Sequence, residues 1–131
     1  MKIYENHNIN NSIKIKSICK YYLEISDIKD FDKLNNFILK KKLPVVVLGK
    51  GTNIIPPEYY EGIVIKPLFK DVCIDNVKNI VSVGASVNWD SLVNEMIKNN
   101  IYGFENLSLI PGSVGAAPIQ NIGAYGQEVS N

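Results

Sequence analysis

Five consecutive residues, Gly49-Lys50-Gly51-Thr52-Asn53, have the composition of an anion-binding loop. The two glycines allow the main chain to approach a ligand closely, and consecutive N–H groups in such a turn form a concave nest. A hydroxyl, an amide and a lysine follow or interleave with them. The spacing is neither that of a Walker loop nor that of a dinucleotide-binding GxGxxG motif. A tight strand-to-loop turn without a ligand explains the same residues, so the loop alone leaves both interpretations open.

A second segment, Pro111 to Gly123, is rich in small residues, against which a flat ring can lie. Pro111-Gly112 can open a short helical turn whose N–H groups point at an anion or a carbonyl oxygen. Close packing of a helix on a sheet is the alternative, and the polar pair Gln120-Asn121 argues against it because buried amides need partners. The candidate binding residues are Pro111, Gly112, Ser113, Val114, Gly115, Ala116, Ala117, Ile119, Asn121, Ile122 and Gly123.

No residue has the surroundings expected of a catalytic acid, base or nucleophile. His7 lies in an asparagine-rich start that we expect to be mobile, so we interpret it as solvated. Glu105 precedes the second segment, where we expect it to serve a helix or a turn. Cys19 and Cys73 lack the close spacing of a zinc or redox motif and are predicted to be free, buried thiols. We therefore predict no catalytic residue and no metal site.

The elements before the first loop predict a βαβ unit. Ile18 to Ile25 is typical of a strand, and Ser26 is a candidate N-cap for the amphipathic helix that follows. The continuous apolar run Val45 to Leu48 predicts a strand that is buried on both faces. Strand, helix and strand in this order predict a sheet that is at least partly parallel.

The pattern changes near residue 70. Ile63 to Ile65 predicts a third strand, whereas short alternating strands follow at 72–74 and 80–83 and a second helix begins at Asn88. We therefore predict two lobes, 1–69 and 70–131. Five of the nine glycines lie between residues 102 and 126, close to the end of the chain, so we expect further structure to follow Asn131.

The charge balance excludes several classes of protein. The chain has 131 residues with 14 Lys and Arg, every one of them lysine, against 13 Asp and Glu. This near-neutral balance argues against nucleic-acid and membrane partners, which select a basic face. There is no apolar run of about 18 residues and no apolar signal segment, so the cytoplasm is the expected compartment. Any anion site must use main-chain N–H groups, hydroxyls, amides and lysine.

Both candidate segments resemble one known family. Residues 44–53, residues 105–115 and the string Pro-Ile-Gln-Asn-Ile-Gly-Ala-Tyr-Gly at 118–126 are similar to the flavin-binding half of UDP-N-acetylenolpyruvoylglucosamine reductase, also called UDP-N-acetylmuramate dehydrogenase. Val83-Gly84-Ala85, Asn88-Trp89 and Leu92-Val93 fit as well, and Asn11-Ser12-Ile13 stands for that family's Asn-Thr-Phe. The match runs in register from residue 11 onward.

The resemblance implies an α+β flavoenzyme of peptidoglycan synthesis, with an α/β first lobe and an FAD-binding fold of the vanillyl-alcohol oxidase type, truncated before the substrate domain. It implies that NADPH reduces FAD, which then reduces UDP-N-acetylglucosamine enolpyruvate to UDP-N-acetylmuramate. Residues 49–53 would hold the FAD pyrophosphate, and residues 111–123 would line the isoalloxazine and the ribityl chain. The implied partners are the UDP-sugar substrate and a complementing C-terminal polypeptide.

The chain departs from the family at several positions. Lys14 stands where many members have Gly, and Ala116-Ala117 stand where some have Ser-Ser, which removes hydroxyls that could bond the flavin. The family's catalytic serine, its partner glutamate, an active-site arginine and the substrate domain match nothing in this sequence. A non-catalytic flavin-binding remnant and an FAD oxidase with another substrate are the alternatives. Without later strands, residues 70–131 would expose an apolar face, so we expect marginal stability and self-association.

Overall fold

The computed structural model describes residues 1–130, which divide into two compact units. The first unit, Met1–Phe69, contains a four-stranded sheet and one α-helix. Its elements are β1 (Lys2–Asn8), β2 (Ile18–Ile25), α1 (Phe31–Lys41), β3 (Val45–Val47) and β4 (Tyr59–Pro67). The strand order is β1-β2-β4-β3, with β1 antiparallel to β2 and with both β2 and β3 parallel to β4. The predicted βαβ arrangement and its parallel pairing are confirmed.

The structure of the first residues differs from the prediction. Residues 2–8 were expected to be mobile, but they form β1, which pairs with β2 from Lys2↔Glu24 to Asn8↔Ile18. The alternation of apolar and polar residues is weak in this segment because β1 is an edge strand whose side chains are mostly exposed. His7 is consequently half-buried and packed against aromatic rings. Its ring lies 4.9 Å from that of Tyr4 and 4.7 Å from that of Tyr22, between the two strands.

The strand that follows α1 also differs from the prediction. The run Val45 to Leu48 was predicted to be buried on both faces, but β3 is the outer strand on the other side of the sheet, and all three of its valines are exposed. Only Leu48, just beyond the strand, is buried. A run of apolar residues does not by itself distinguish a central strand from an edge strand, because both need β-branched side chains.

The first helix begins later than predicted. Ser26 is not its cap; Asp27 instead accepts a hydrogen bond from Lys29 N at 2.9 Å and caps a short 3-10 turn, Ile28–Asp30, from which α1 continues. The helix places Leu34 against one face of the sheet, and the ring of Phe37 lies edge-on to that of Tyr21 at 5.3 Å. Lys42 ends α1 in a left-handed conformation, with φ of 53°.

The opposite face of the sheet is covered by loops. Tyr22, Val64 and Leu48 pack there against Ile9, which precedes the segment that leads into β2. Both of the segments that cover this face, residues 9–17 and 48–58, lack regular secondary structure. The loop predicted to bind an anion is therefore part of the layer that closes this side of the core.

The second unit, from Lys70 onward, contains a β-hairpin, one α-helix and irregular segments. Its elements are β5 (Val72–Asp75), β6 (Ile80–Val83), α2 (Trp89–Lys98), β7 (Gly123–Ala124) and β8 (Gln127–Glu128), with 3-10 turns at Glu105–Leu107 and Val114–Ala116. Asn88 caps α2 as predicted, because its side chain accepts from Ser91 N at 2.8 Å. Trp89, Leu92, Val93 and Met96 form the core. Cys73 is exposed on β5, so only Cys19 is a buried thiol as predicted.

Candidate functional site

The loop Gly49 to Asn53 follows β3 at the carboxyl end of the parallel strands, the edge where α/β sheets bind ligands. Gly51 is the residue of the loop with the strictest steric constraint. Its φ is +68°, and a Cβ atom there would lie 2.3 Å from the Asn10 carbonyl oxygen and 3.0 Å from the Asn11 Cα. The main chain of residues 10–11 therefore crosses the loop at a distance that only glycine permits.

Three carbonyl groups of the loop accept hydrogen bonds from other parts of the unit. Ser12 donates from its main-chain N to the Gly51 oxygen at 2.9 Å and from its hydroxyl to the Thr52 oxygen at 3.4 Å. The Lys66 ammonium, on β4, donates to the Gly49 oxygen. Asn11 stiffens the donor segment, since its side chain bonds the main chain of Ile9 and of Ile15. The loop is therefore anchored by residues from two other parts of the unit.

This anchoring fixes the direction of the amide groups. Every described peptide bond is trans, and in a planar trans peptide the C=O and the following N–H point in opposite directions. The carbonyls of residues 51 and 52 point toward Ser12 and that of Gly49 toward Lys66, so the N–H groups of Lys50, Thr52 and Asn53 point away from these donors. Thr52 and Asn53 also have interaction partners within the chain. N–H groups arranged in this way would suit phosphate oxygens, as the sequence predicts.

The charge around the loop is positive. Lys50 is exposed within it, and Lys66 is half-buried beneath it. Burial lowers the pKa of Lys66, and the nearby charge of Lys50 lowers it further. Within residues 1–130, the ion pairs involve other groups, and no carboxylate lies within ion-pair distance of Lys66. An anion at this loop would meet two lysines whose charges no acidic side chain neutralises.

An apolar pocket of about 200 Å³ adjoins the loop. Its walls are formed by side chains of the sheet, such as Leu48 and Val64, and by the residues just after the loop, such as Ile54 and Tyr60. The pocket contributes almost no polar surface, so it can accept an apolar or aromatic group beside the anion-binding loop.

The second segment, in the second unit, is fixed to residues 85–89. Trp89 N donates to the Gly112 oxygen at 3.2 Å, Val114 N to the Val87 oxygen at 2.9 Å and Gly115 N to the Ala85 oxygen at 3.0 Å. A Cβ atom on Gly115 would lie 2.7 Å from the Ala85 Cβ, so only glycine permits this approach. The indole N–H of Trp89 holds the far side by donating to the Leu107 oxygen at 2.8 Å.

The hydroxyl group of Ser113, in this segment, makes no hydrogen bond within the described residues. Ser113 is buried, and among residues 1–130 its Oγ is the one buried side-chain polar atom that makes no hydrogen bond. Leaving such a hydroxyl unsatisfied costs about 1–3 kcal/mol. The hydroxyl of Ser113 therefore remains able to make one more hydrogen bond.

The other predicted residues of the segment divide by exposure. Ala117 and Ile122 point into the core, so only their main chains remain for a ligand. Pro111, Gly115, Ile119, Asn121 and Gly123 are exposed, whereas Val114 and Ala116 are half-buried. The argument from buried amides is wrong, because Gln120 and Asn121 are exposed; Asn121 donates to Glu128 at 2.7 Å. Glu105 accepts from Gly103 N at 2.7 Å, which confirms its predicted role in a turn.

Sequence reasoning missed two residues of the first site. Ser12 was noted only through the family resemblance, and Lys66 was not noted at all. One lysine among 14 gives no signal in the sequence. Only the register that places Lys66 at the carboxyl end of β4, beside the end of β3, brings it to the loop.

Comparisons with known proteins identify the family of the chain. The profile of the FAD binding domain family matches residues 19–131. The UDP-N-acetylenolpyruvoylglucosamine reductase of Pseudoalteromonas translucida (strain TAC 125) is 41% identical to this chain over 122 residues, which are 92% of this chain and 35% of that protein. The protein of the same name from Buchnera aphidicola subsp. Baizongia pistaciae is 39% identical over 90% of this chain and 36% of its own length. That of Blochmanniella pennsylvanica is 50% identical over 70% and 27%.

This chain thus spans about a third of the length of these curated relatives. In the described residues, no helix is long and apolar enough to cross a membrane. The matched region includes most of β2, all of β3 and β4, both candidate segments and the whole second unit. The chain therefore belongs to the FAD binding domain family.

Proposed function

We propose that this chain is the FAD-binding part of a UDP-N-acetylenolpyruvoylglucosamine reductase, with the FAD-binding fold of the vanillyl-alcohol oxidase type. The observation that carries the proposal is the loop at residues 49–53, where carbonyls bound by Ser12 and Lys66 turn the N–H groups away from these donors, beside two lysines that have no acidic partner among residues 1–130. A nest with this charge suits a diphosphate, and relatives that match most of this chain are named as this reductase.

The residues present fit FAD. Gly49 to Asn53 would hold the diphosphate, and the segment from Pro111 to Gly123 would contact the flavin and its ribityl chain. The Ser113 hydroxyl, buried and without a partner, would accept or donate one hydrogen bond to the cofactor. Ala116 and Ala117 supply no hydroxyls, so the segment would contact the ring mainly through main-chain groups and small side chains. When bound, FAD supplies the hydride chemistry.

The rest of the reaction lies with groups outside the described residues. NADPH is the expected hydride donor and UDP-N-acetylglucosamine enolpyruvate the expected acceptor, in the cytoplasm. Protonation of the reduced substrate needs a positioned acid. Neither of the two candidates in the sequence fits this role, since His7 packs between tyrosines and Glu105 holds a turn. The acid and the substrate site would come from a complementing C-terminal polypeptide.

A flavin titration tests cofactor binding. The full chain, freed of bound flavin, is titrated with FAD and with riboflavin, which lacks the diphosphate. We expect one FAD per chain, weaker binding of riboflavin, and stabilisation by about 2.7 kcal/mol at an FAD concentration of 100 Kd. Equal affinities for the two flavins, or no binding of FAD, would contradict the proposed role of residues 49–53.

An activity assay tests the reaction class. NADPH oxidation is followed with the enolpyruvyl UDP-sugar, first with the chain alone and then with the C-terminal two thirds of a relative added as a separate polypeptide. We expect product only in the second case. If the sugar fails to accelerate NADPH oxidation in either case while FAD is bound, the chain serves another reaction.

A further inference from the structure

Lys66 stands at the carboxyl end of β4, on the sheet face that carries Val64 and Tyr22. Its ammonium group donates to the main-chain oxygen of Gly49, the first residue of the anion-binding loop. This bond determines which way the peptide between Gly49 and Lys50 faces. Because the peptide is trans, the Lys50 N–H points away from Lys66 and toward the open side of the loop.

Among residues 1–130, the charge of Lys66 has no acidic partner. The residue in register with it on β2 is Glu24, but that carboxylate accepts a hydrogen bond from the Tyr4 hydroxyl at 3.2 Å and makes no ion pair with Lys66. The other nearby charge, Lys50, has the same sign. Keeping a half-buried ammonium without a carboxylate is costly, and an anion at the loop would offset that cost.

The absence of arginine from the sequence gives this lysine a specific role. Diphosphates are commonly held by the bidentate fork of an arginine, which this chain lacks. We propose, resting on the proposed function, that Lys66 is a positioning residue for the cofactor diphosphate: it fixes the Gly49–Lys50 peptide with its N–H toward the phosphates and supplies, from beneath the loop, part of the charge that attracts them.

The test compares ligands with and without phosphates across four forms of the full chain. Wild type, Lys66→Met, Lys66→Arg and Lys40→Met are titrated with ADP and with adenosine. Lys40 is an exposed lysine of the same unit, far along α1, so its replacement by Met removes the same charge without touching the loop. Circular dichroism checks that each variant is folded.

We expect Lys66→Met to weaken ADP binding by roughly 10- to 100-fold, as for loss of a hydrogen bond that involves a charged group, and to leave adenosine within about twofold. Lys66→Arg should restore most of the ADP affinity, because it keeps a donor and the charge. Lys40→Met should change neither ligand by more than about twofold. The contrast between ADP and adenosine separates a phosphate-directed role from a general loosening of the loop.

A pH profile adds a second readout. From pH 8 upward the phosphates of ADP stay fully charged, since their pKa is about 6. The pKa of Lys66 lies below its ordinary 10.5, so wild-type ADP affinity should begin to fall with rising pH before a lysine with the ordinary pKa would lose its charge. Lys66→Arg should lack this early fall, because arginine stays protonated.

Two results would overturn the inference while the proposed function stands: an Lys66→Met variant that binds ADP as Lys40→Met does, or one that loses ADP and adenosine equally. If the wild-type chain binds neither FAD nor ADP, the proposed function fails, and the role of Lys66 fails with it.

Discussion

At the scale of single residues, the anion-binding loop depends on Gly51 more than on any side chain. Its positive φ and the main chain of residues 10–11 exclude a Cβ atom. Gly126 has a similar φ of +78°, but among residues 1–130 no atom lies within 4 Å of the position of its Cβ. The two glycines therefore share a left-handed backbone conformation and differ in steric crowding.

Gly51→Ala should destabilise the chain by more than Gly126→Ala. The control should cost about 1 kcal/mol, from the left-handed backbone alone. The Gly51 variant adds a contact at 2.3 Å with main-chain atoms, which cannot rotate away, so we expect a loss of about 3 kcal/mol or more together with loss of ADP binding. Urea denaturation and an ADP titration of both variants provide the measurement. Equal losses would mean that residues 10–11 move aside easily.

The loop could be predicted from the sequence because the positions of glycines indicate backbone geometry directly. The sequence did not predict Lys66 or Ser12, because their roles depend on which strands become neighbours. Lys14 is an intermediate case. It stands where many members of the resembling family have Gly, and its φ is 58°, so the backbone conformation is kept at a cost in strain.

At the scale of elements, α1 also ends at a lysine in a left-handed conformation that favours glycine. Lys42 adopts a left-handed conformation with φ of 53° and donates its N–H to the Ile38 oxygen at 2.9 Å. Glycine is the usual residue at this position of a helix. The chain therefore stores strain at an exposed helix terminus that no functional contact explains.

Replacing this lysine tests that interpretation. Lys42→Gly should stabilise the chain by about 0.5–1 kcal/mol, because glycine adopts positive φ without strain. Lys40→Gly makes the same change inside α1, where glycine should cost about 1 kcal/mol. Urea denaturation of both variants should give opposite signs. Destabilisation by both would show that the Lys42 side chain stabilises the helix end by more than its strain costs.

Element prediction succeeded where periodicity and caps coincide and failed where neighbours decide. α2 has apolar residues at regular spacing behind its Asn88 cap, and it begins where predicted. β3 was predicted to be central because Val45 to Val47 are apolar, but its place in the sheet is set by β4, which inserts between β2 and β3. β1 was missed because an exposed edge strand buries too little to leave an apolar pattern.

At the scale of the whole molecule, the exposed edge at β3 supports the expectation of self-association. Val47 on this strand is 66% exposed, and one side of the strand has no neighbour in the sheet. An apolar edge strand with free main-chain groups is a template for pairing with another chain. The same edge would be covered if further polypeptide packed against it.

Val47→Lys should reduce self-association, because charged residues on edge strands oppose strand pairing. Val77→Lys is the matched control, since Val77 is 93% exposed but lies in the turn between β5 and β6, outside any strand. Sedimentation velocity over a range of concentrations should show the sedimentation coefficient rising for wild type and for Val77→Lys, and staying nearly constant for Val47→Lys. A wild-type chain that sediments as a monomer at every concentration would contradict the expectation.

The crossing of Gly51 by residues 10–12 also fixes an order of events in folding. Ser12 and Thr52 are 40 positions apart, and the loop acquires its shape only when these two segments meet. Such distant contacts form after local ones, because closing the intervening chain costs entropy that only later contacts repay. The nest is therefore completed together with the long-range pairing of β2 and β4, whose partners lie a similar distance apart along the chain. The ability to hold a diphosphate would depend on a segment near the N-terminus that contains none of the glycine motif.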